Sequence, residues 1–229
     1  MKNFLKIVYV LVLATAIHGC SDNRQDQQQS SMPWQDVELK DDVGVFTGYK
    51  IDKLSNNYRA CLQALDRADI DYTPVPDRVS PKGCELKQQV TLDRSRYPYT
   101  SLVSGTCPII AAVISWEDNV VFPTAMKYFN QDVAKITHYA MFSCRNIAGT
   151  SKRSEHSKAN AIDISAFELK DGTKISVLND WNDQGPKGLF LRSVFRQSCK
   201  IFKGALGPNY NAAHKDHFHF DMGSWDSCD

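Results

Sequence analysis

His214-Lys215-Asp216-His217-Phe218-His219-Phe220-Asp221 sets three imidazoles and two carboxylates within eight residues of a chain that has six histidines. In a strand, alternate side chains share a face, so His217, His219 and Asp221 point one way while Phe218 and Phe220 pack behind them. The pattern predicts a short half-buried strand over residues 217–222, with polar groups laid on a hydrophobic floor. His214 and Asp216 precede it and can reach the same cleft. A histidine-rich surface strand would not place phenylalanines between its histidines.

Upstream, Ser154-Glu155-His156 is followed seven residues after the histidine by Asp163, inside the apolar run Ala161-Ile162-Asp163-Ile164. A carboxylate there is costly unless it is paired or bound to a cation. The plainer alternatives are a turn cap or an ion pair with Arg145. His156 sits in the polar stretch 151–160 and taken alone reads as a surface residue. Taken with the tail it completes two imidazoles and a carboxylate, the donor set of a catalytic zinc with one open position. His138 lies on an apolar alternation and reads as structural, and His18 belongs to the leader.

Around these motifs the chain alternates poorly between strands and helices. Residues 57–70 carry Tyr58, Cys61, Leu62 and Leu65 at helical spacing, with Ser55 as N-cap. Pro74-Val75-Pro76 then leads through a loop to a loose strand at 85–92. Residues 109–116 form a buried helix and 124–129 a second helical segment. Residues 133–143 alternate as a strand ending at Cys144, with Ile136, His138, Ala140 and Phe142 on one side. Asp171-Gly172 turns a hairpin between 160–169 and 174–177. Residues 189–202 form a helix stopped by Gly204 and Gly207. The expected fold is α+β, a single domain with a mostly antiparallel sheet flanked by helices.

The N-terminus has the chemistry of an export signal. Lys2 and Lys6 precede an apolar run over 7–17, too short to span a bilayer. It ends at Ile17-His18-Gly19-Cys20, which resembles a bacterial lipobox with Cys20 as the lipidated residue. His18 is unusual in that pattern, and ordinary cleavage or an uncleaved anchor are the alternatives. The expected organisation is a signal over 1–19, a lipidated cysteine and polar tether over 20–33, and a domain over 34–229. The tether is Gln-rich and buries too little apolar surface to fold. Ser21 after Cys20 resembles the pattern sorted to the outer membrane.

Six cysteines remain for the domain, and an even count in an exported chain implies up to three disulfides. Pairing by neighbours gives Cys61 with Cys84, Cys107 with Cys144, and Cys199 with Cys228. Setting aside Lys2 and Lys6 leaves 25 of the 27 basic residues against 26 acidic ones, which argues against a nucleic-acid partner. Beyond the leader no apolar run is expected to cross a membrane.

Ser154-Glu-His-Ser-Lys-Ala-Asn-Ala-Ile-Asp163 resembles the S-x-H-x-x-G-x-A-x-D motif of zinc D-alanyl-D-alanine peptidases, the lysostaphin, VanY and murein endopeptidase group, and His217-Phe-His219 resembles their H-x-H motif. More closely, these segments together with Phe167-Glu-Leu-Lys-Asp-Gly, Phe190-Leu-Arg and Leu206-Gly-Pro-Asn-Tyr resemble the bacterial extensin-like C-terminal domain, across roughly residues 57–221. The resemblance implies one zinc ion held by His156, Asp163 and His219, with water in the fourth position made acidic by the metal. It implies His217 as general base with His214 assisting, and Asp216 as the alternative base. Arg145 is implied to hold a substrate carboxylate or a developing oxyanion, and Ser154 to line the substrate site. The motif's usual glycine is Ala159 here. Zinc-dependent cleavage of peptidoglycan stem peptides is the expected function, as carboxypeptidase or endopeptidase. Cell-wall binding without turnover is the alternative.

Overall fold

A computed structural model describes residues 37–139 and 141–229. The leader, Cys20 and the tether lie outside the described residues. In chain order the helices are α1 (Thr47–Lys53), α2 (Tyr58–Arg67), α3 (Cys107–Trp116), α4 (Phe122–Phe129), α5 (Val177–Asp180) and α6 (Pro186–Ser198). The strands are β1 (Asp71–Val75), β2 (Arg78–Val79), β3 (Glu85–Leu86), β4 (Gln89–Arg94), β5 (Val103–Thr106), β6 (Val133–His138), β7 (Ala161–Leu169), β8 (Lys174–Ser176), β9 (Gly204–Leu206), β10 (Phe218–Asp221) and β11 (Ser227–Cys228).

The main sheet runs β11-β9-β10-β7-β6, with β8 folded onto β7. A second sheet runs β1-β4-β5, and β2 and β3 form a hairpin. Every strand ladder is antiparallel except β11 on β9. The fold is α+β and a single domain.

One face of the main sheet is apolar and carries the core. Phe218 and Phe220 of β10 turn inward, Phe220 stacking on Phe202 at 4.6 Å and meeting Trp116 of α3 at 5.8 Å. Phe218 packs against Phe195 of α6 at 5.3 Å and Trp181 at 5.6 Å. Phe167 of β7 reaches Phe190 of α6 at 5.1 Å. Each such fully buried ring contributes about 1.5–3 kcal/mol through removal of apolar surface from water.

Two features place the polar face. The register of β6 on β7 slips between Thr137 and His138, so β7 carries an extra residue there. The bulge changes the phase of the alternation. Ile162 and Ile164 before it, and Phe167 and Leu169 after it, all enter the core. Asp163 is left on the opposite face. The second feature is α3, in which every residue is buried. A helix apolar all round belongs inside a core. It continues through a π-helical turn, Glu117–Val121, into α4, making a run of 23 residues from Cys107 to Phe129. By length and hydropathy that run could cross a membrane, which the sequence reading had not anticipated. With 72% of its most apolar window buried, it is a core helix.

Several local expectations are corrected. Asn57, not Ser55, caps α2, its Oδ1 accepting the Ala60 amide at 3.0 Å, while Ser55 lies in the preceding 3₁₀ turn. The segment around Pro74 is a strand rather than a loop. As the edge of its sheet, β1 needs no ladder donor on its outer side, so proline is tolerated. Strand β6 stops at His138 instead of running to Cys144: the Tyr139 amide still donates to the Asp163 carbonyl of β7 at 2.9 Å, but beyond it the chain turns to His156, through the Met141 carbonyl at 3.0 Å and the Ser143 amide at 3.0 Å. Helix α6 begins at Pro186, whose fixed φ suits the first helical position. It ends at Ser198, just before Cys199 is tied to Cys228.

Two of the neighbour pairings of cysteines fail. The disulfides are Cys61–Cys107, Cys84–Cys144 and Cys199–Cys228. Cys61 on α2 meets Cys107 because α2 packs directly on the start of α3. Cys84, on the β2–β3 hairpin, meets Cys144 on the segment after β6. Tertiary packing, not sequence proximity, sets both.

Candidate metal centre

Three elements meet on the polar face of the main sheet. Strand β7 presents Asp163, β10 presents His219, and a 3₁₀ turn over Glu155–Lys158 presents His156. Asp163 and His219 are directly opposite each other in the β7–β10 ladder, which fixes their spacing. The turn is capped by Ser154, whose Oγ accepts the His156 amide at 3.3 Å. Ser154 is buried, so its visible work is to shape the turn. Ala159 closes the turn in the left-handed region at φ 53°, ψ 40°. A residue with a Cβ pays about 1–2 kcal/mol for that conformation, which explains why glycine is usual there. Here two hydrogen bonds hold it, from the Ala159 amide to the His156 carbonyl at 3.1 Å and from the Thr106 amide to the Ala159 carbonyl at 2.9 Å.

His156 Nε2, His219 Nδ1 and Asp163 Oδ1 form a triangle with edges of 3.1, 3.0 and 3.2 Å. The other nitrogen of each ring is committed elsewhere. His156 Nδ1–H donates to the Met141 carbonyl at 3.0 Å, and His219 Nε2–H donates to Asp221 Oδ2 at 2.9 Å. These bonds leave lone pairs on His156 Nε2 and His219 Nδ1, both aimed at the Asp163 oxygen. Three acceptors this close repel unless a proton or a cation lies among them. All three residues are buried, and this is a group able to hold a metal ion. The donor set fits zinc, for which tetrahedral bonds of about 2.0–2.1 Å put ligand atoms about 3.3 Å apart. Backbone carbonyl and carboxylate partners behind the rings are the usual support of metal-binding histidines.

Electrostatics agree with the geometry. Burial would raise Asp163, but its hydrogen bonds with His156 and His219 outweigh it and hold the carboxyl far below its usual range. Burial would lower His219, but Asp163 and Asp221 outweigh it and raise the imidazole to about 9. Without a metal the site therefore keeps a proton on His219, whose place a bound cation would take.

Beside the triangle lies a second constellation. His217 Nδ1–H donates to Asp216 Oδ1 at 2.9 Å, which leaves its Nε2 lone pair facing the centre, 3.7 Å from Asp163 Oδ1. The His217 bond, against a smaller opposing effect of burial, holds Asp216 below the usual carboxylate range. The Tyr139 hydroxyl donates to the other oxygen, Oδ2, at 3.3 Å. Burial and the Asp216 charge raise the Tyr139 phenol, so it stays a donor. His214 stands with its ring 5.3 Å from His217 and 5.9 Å from His219, its Nδ1–H bonded to Asn211 Oδ1 at 2.8 Å. Burial, then the nearby His219 and His217, lower it to about 4, so it is neutral at neutral pH. Arg145 is exposed and forms no ion pair among the described residues, and its charge also disfavours protonation of His214. His138 is apart from this group. It is buried, with Nδ1 on the Tyr139 carbonyl and Nε2 at 3.0 Å from Ser101 Oγ.

Residues 59–229 match the family described as Extensin-like protein C-terminus. The chain belongs to this family. No curated protein and no solved structure matches it. The match spans the whole centre of this extensin-like domain, from the 3₁₀ turn of His156 to β10. Sequence reading missed three of its parts. The alternation puts Asp221 on the polar face without a role, yet its i+2 spacing from His219 sets it beside that ring. The Met141 carbonyl is a backbone group with no sequence signal. Tyr139 meets Asp216 across 77 residues, and nothing local announces it.

Proposed function

We propose that the chain is a zinc-dependent hydrolase that cuts an amide bond in peptidoglycan peptides. The observation that carries this reading is the convergence of His156 Nε2, His219 Nδ1 and Asp163 Oδ1 within 3.2 Å of one another, with both remaining ring nitrogens engaged elsewhere. Zinc bound there supplies a Lewis acid and makes a water acidic enough to lose a proton near neutral pH. His217 accepts that proton at Nε2, since Asp216 holds its Nδ1–H and stabilises the imidazolium that results. Asp216, bonded to both His217 and Tyr139, orients the base rather than serving as it. His214, neutral and close by, lines the cleft, and Arg145 offers a free guanidinium to a substrate carboxylate or a developing oxyanion. The likeness of the two motifs to those of zinc D-alanyl-D-alanine peptidases supports the reaction class. The leader and the lipobox-like Cys20 support export as a lipoprotein anchored in the outer membrane of a Gram-negative envelope, where stem peptides are the substrate at hand.

The test uses the chain from Met32 onward, which keeps every described residue. Bound zinc is quantified and isolated sacculi are digested. The expected result is about one zinc per chain and release of muropeptides or D-alanine. His217→Ala keeps its zinc and releases nothing. Zinc-loaded protein that sediments with sacculi without cutting them would establish a binding protein instead. Protein that takes up no zinc, with His156→Ala indistinguishable from wild type, would end both metal readings.

A further inference from the structure

We infer that Tyr139 is a positioning residue of this centre: its phenol holds the Asp216 carboxylate, and through it keeps His217 aimed at the point enclosed by His156, Asp163 and His219. The inference rests on the hydrolytic reading for its kinetic consequence, but the geometry stands by itself.

Each oxygen of Asp216 accepts from a side chain of this group. His217 Nδ1–H takes Oδ1 at 2.9 Å, and the Tyr139 hydroxyl takes Oδ2 at 3.3 Å. Asp216 is less enclosed than the ring it orients, its side chain 34% exposed against 13% for His217. It stands in the turn before β10, so one bond alone would leave its carboxylate free to rotate away. The Tyr139 ring also stands edge-on to His217, with centroids 5.6 Å apart and planes at 69°, so one side chain touches both members of the pair. Tyr139 is itself launched from a fixed point. Its amide donates to the Asp163 carbonyl at 2.9 Å, and its carbonyl accepts from the His138 ring. The residue that orients the base is thereby tied to the backbone of a metal ligand.

Packing does not account for Tyr139, whose side chain is 44% exposed. Nor does its hydroxyl need Asp216 to satisfy a buried donor, because water reaches it. What the contact provides is orientation. A base held within a few tens of degrees of its productive direction acts faster than one that samples several. Loss of one such bond corresponds to about a three- to tenfold change in rate.

The full zinc-loaded chain is the material for the test. Tyr139→Phe is expected to lower kcat for muropeptide release about three- to tenfold, with KM and zinc content unchanged. In an Asp216→Ala background the same substitution should cost nothing further, because the route through Asp216 is already gone. An equal loss in both backgrounds overturns the inference. A second readout needs no turnover. In protein labelled with ¹⁵N-histidine, the His217 Nδ1–H should exchange with water slowly in wild type and about three- to tenfold faster in Tyr139→Phe, the factor of one hydrogen bond's free energy. Unchanged exchange overturns the inference. If wild type cuts nothing, the hydrolase reading fails, and the exchange rates still decide the role of Tyr139.

Discussion

The carboxylate of Asp221 is fully buried, accepts His219 Nε2–H on one oxygen and the Gly223 amide on the other, and so decides which nitrogen of His219 faces Asp163. The structure makes room for it: a Cβ on Gly204 of the neighbouring strand would fall 2.6 Å from the Asp221 carboxyl carbon. Asp221→Asn preserves shape but weakens the acceptor and removes its charge. It should lower zinc affinity about ten- to a hundredfold, as loss of such outer partners does, measured by competition with a chelating dye. His156→Ala would abolish stoichiometric binding and serves as the reference. At this scale the three residues that converge were legible, because His156, Asp163 and His219 fall into spaced motifs of chemically rare residues. Their supports were not, because an acceptor such as the Met141 carbonyl belongs to every residue alike.

Among the elements, the segment between β6 and the 3₁₀ turn does the most for the site with the least regular structure. Its Met141 carbonyl fixes His156 Nδ1, its Ser143 amide donates to the His156 carbonyl at 3.0 Å, and Cys144 ties it to Cys84 on the β2–β3 hairpin. Replacing Cys84 and Cys144 by serine releases a loop closed over a sequence separation of 60. The expected loss is about 4 kcal/mol of unfolding free energy by chain entropy, together with weaker zinc binding, checked by denaturant titration and dye competition on the same sample. A second element-scale prediction concerns the π-helical turn. Glu117 is buried there and accepts hydrogen bonds from Ser95, Arg96 and Tyr99, yet burial outweighs them and raises it from 4.5 to about 8. The folded protein then keeps a proton that the unfolded chain has already lost. Stability is complete below about pH 4.5 and falls as pH rises to 8, by on the order of 4 kcal/mol. In Glu117→Gln the difference between denaturation midpoints at pH 5 and pH 8 should shrink. Elements marked by composition, such as the apolar α3 and the Asp171-Gly172 hairpin, were legible. The end of β6 was not, because it depends on bonds to His156, in a turn that follows later in the chain.

For the molecule as a whole, the metal site and the core share one sheet, so occupying the first should stabilise the second. Free zinc at about a thousand times its Kd adds about 4 kcal/mol by mass action. In a domain of this size that is a rise in Tm of about 8–16 °C, reversed by chelator and missing in His156→Ala, as calorimetry would show. The α+β class was legible from the irregular alternation of patterns, and the six cysteines beyond Cys20 allowed up to three bridges, the number that forms. Which cysteines meet was not legible, because α2 reaches α3, and the hairpin reaches the segment after β6, only in the packed state. The ladder of β10 on β7 has a temporal meaning as well. His156 and Asp163 emerge together, but their third partner, on β10, follows 56 residues after Asp163. Two donors hold zinc poorly, so the centre would take the ion only once β10 has paired with β7. The metal that entered would then be the one available where that pairing forms, so the place of folding would choose the cofactor.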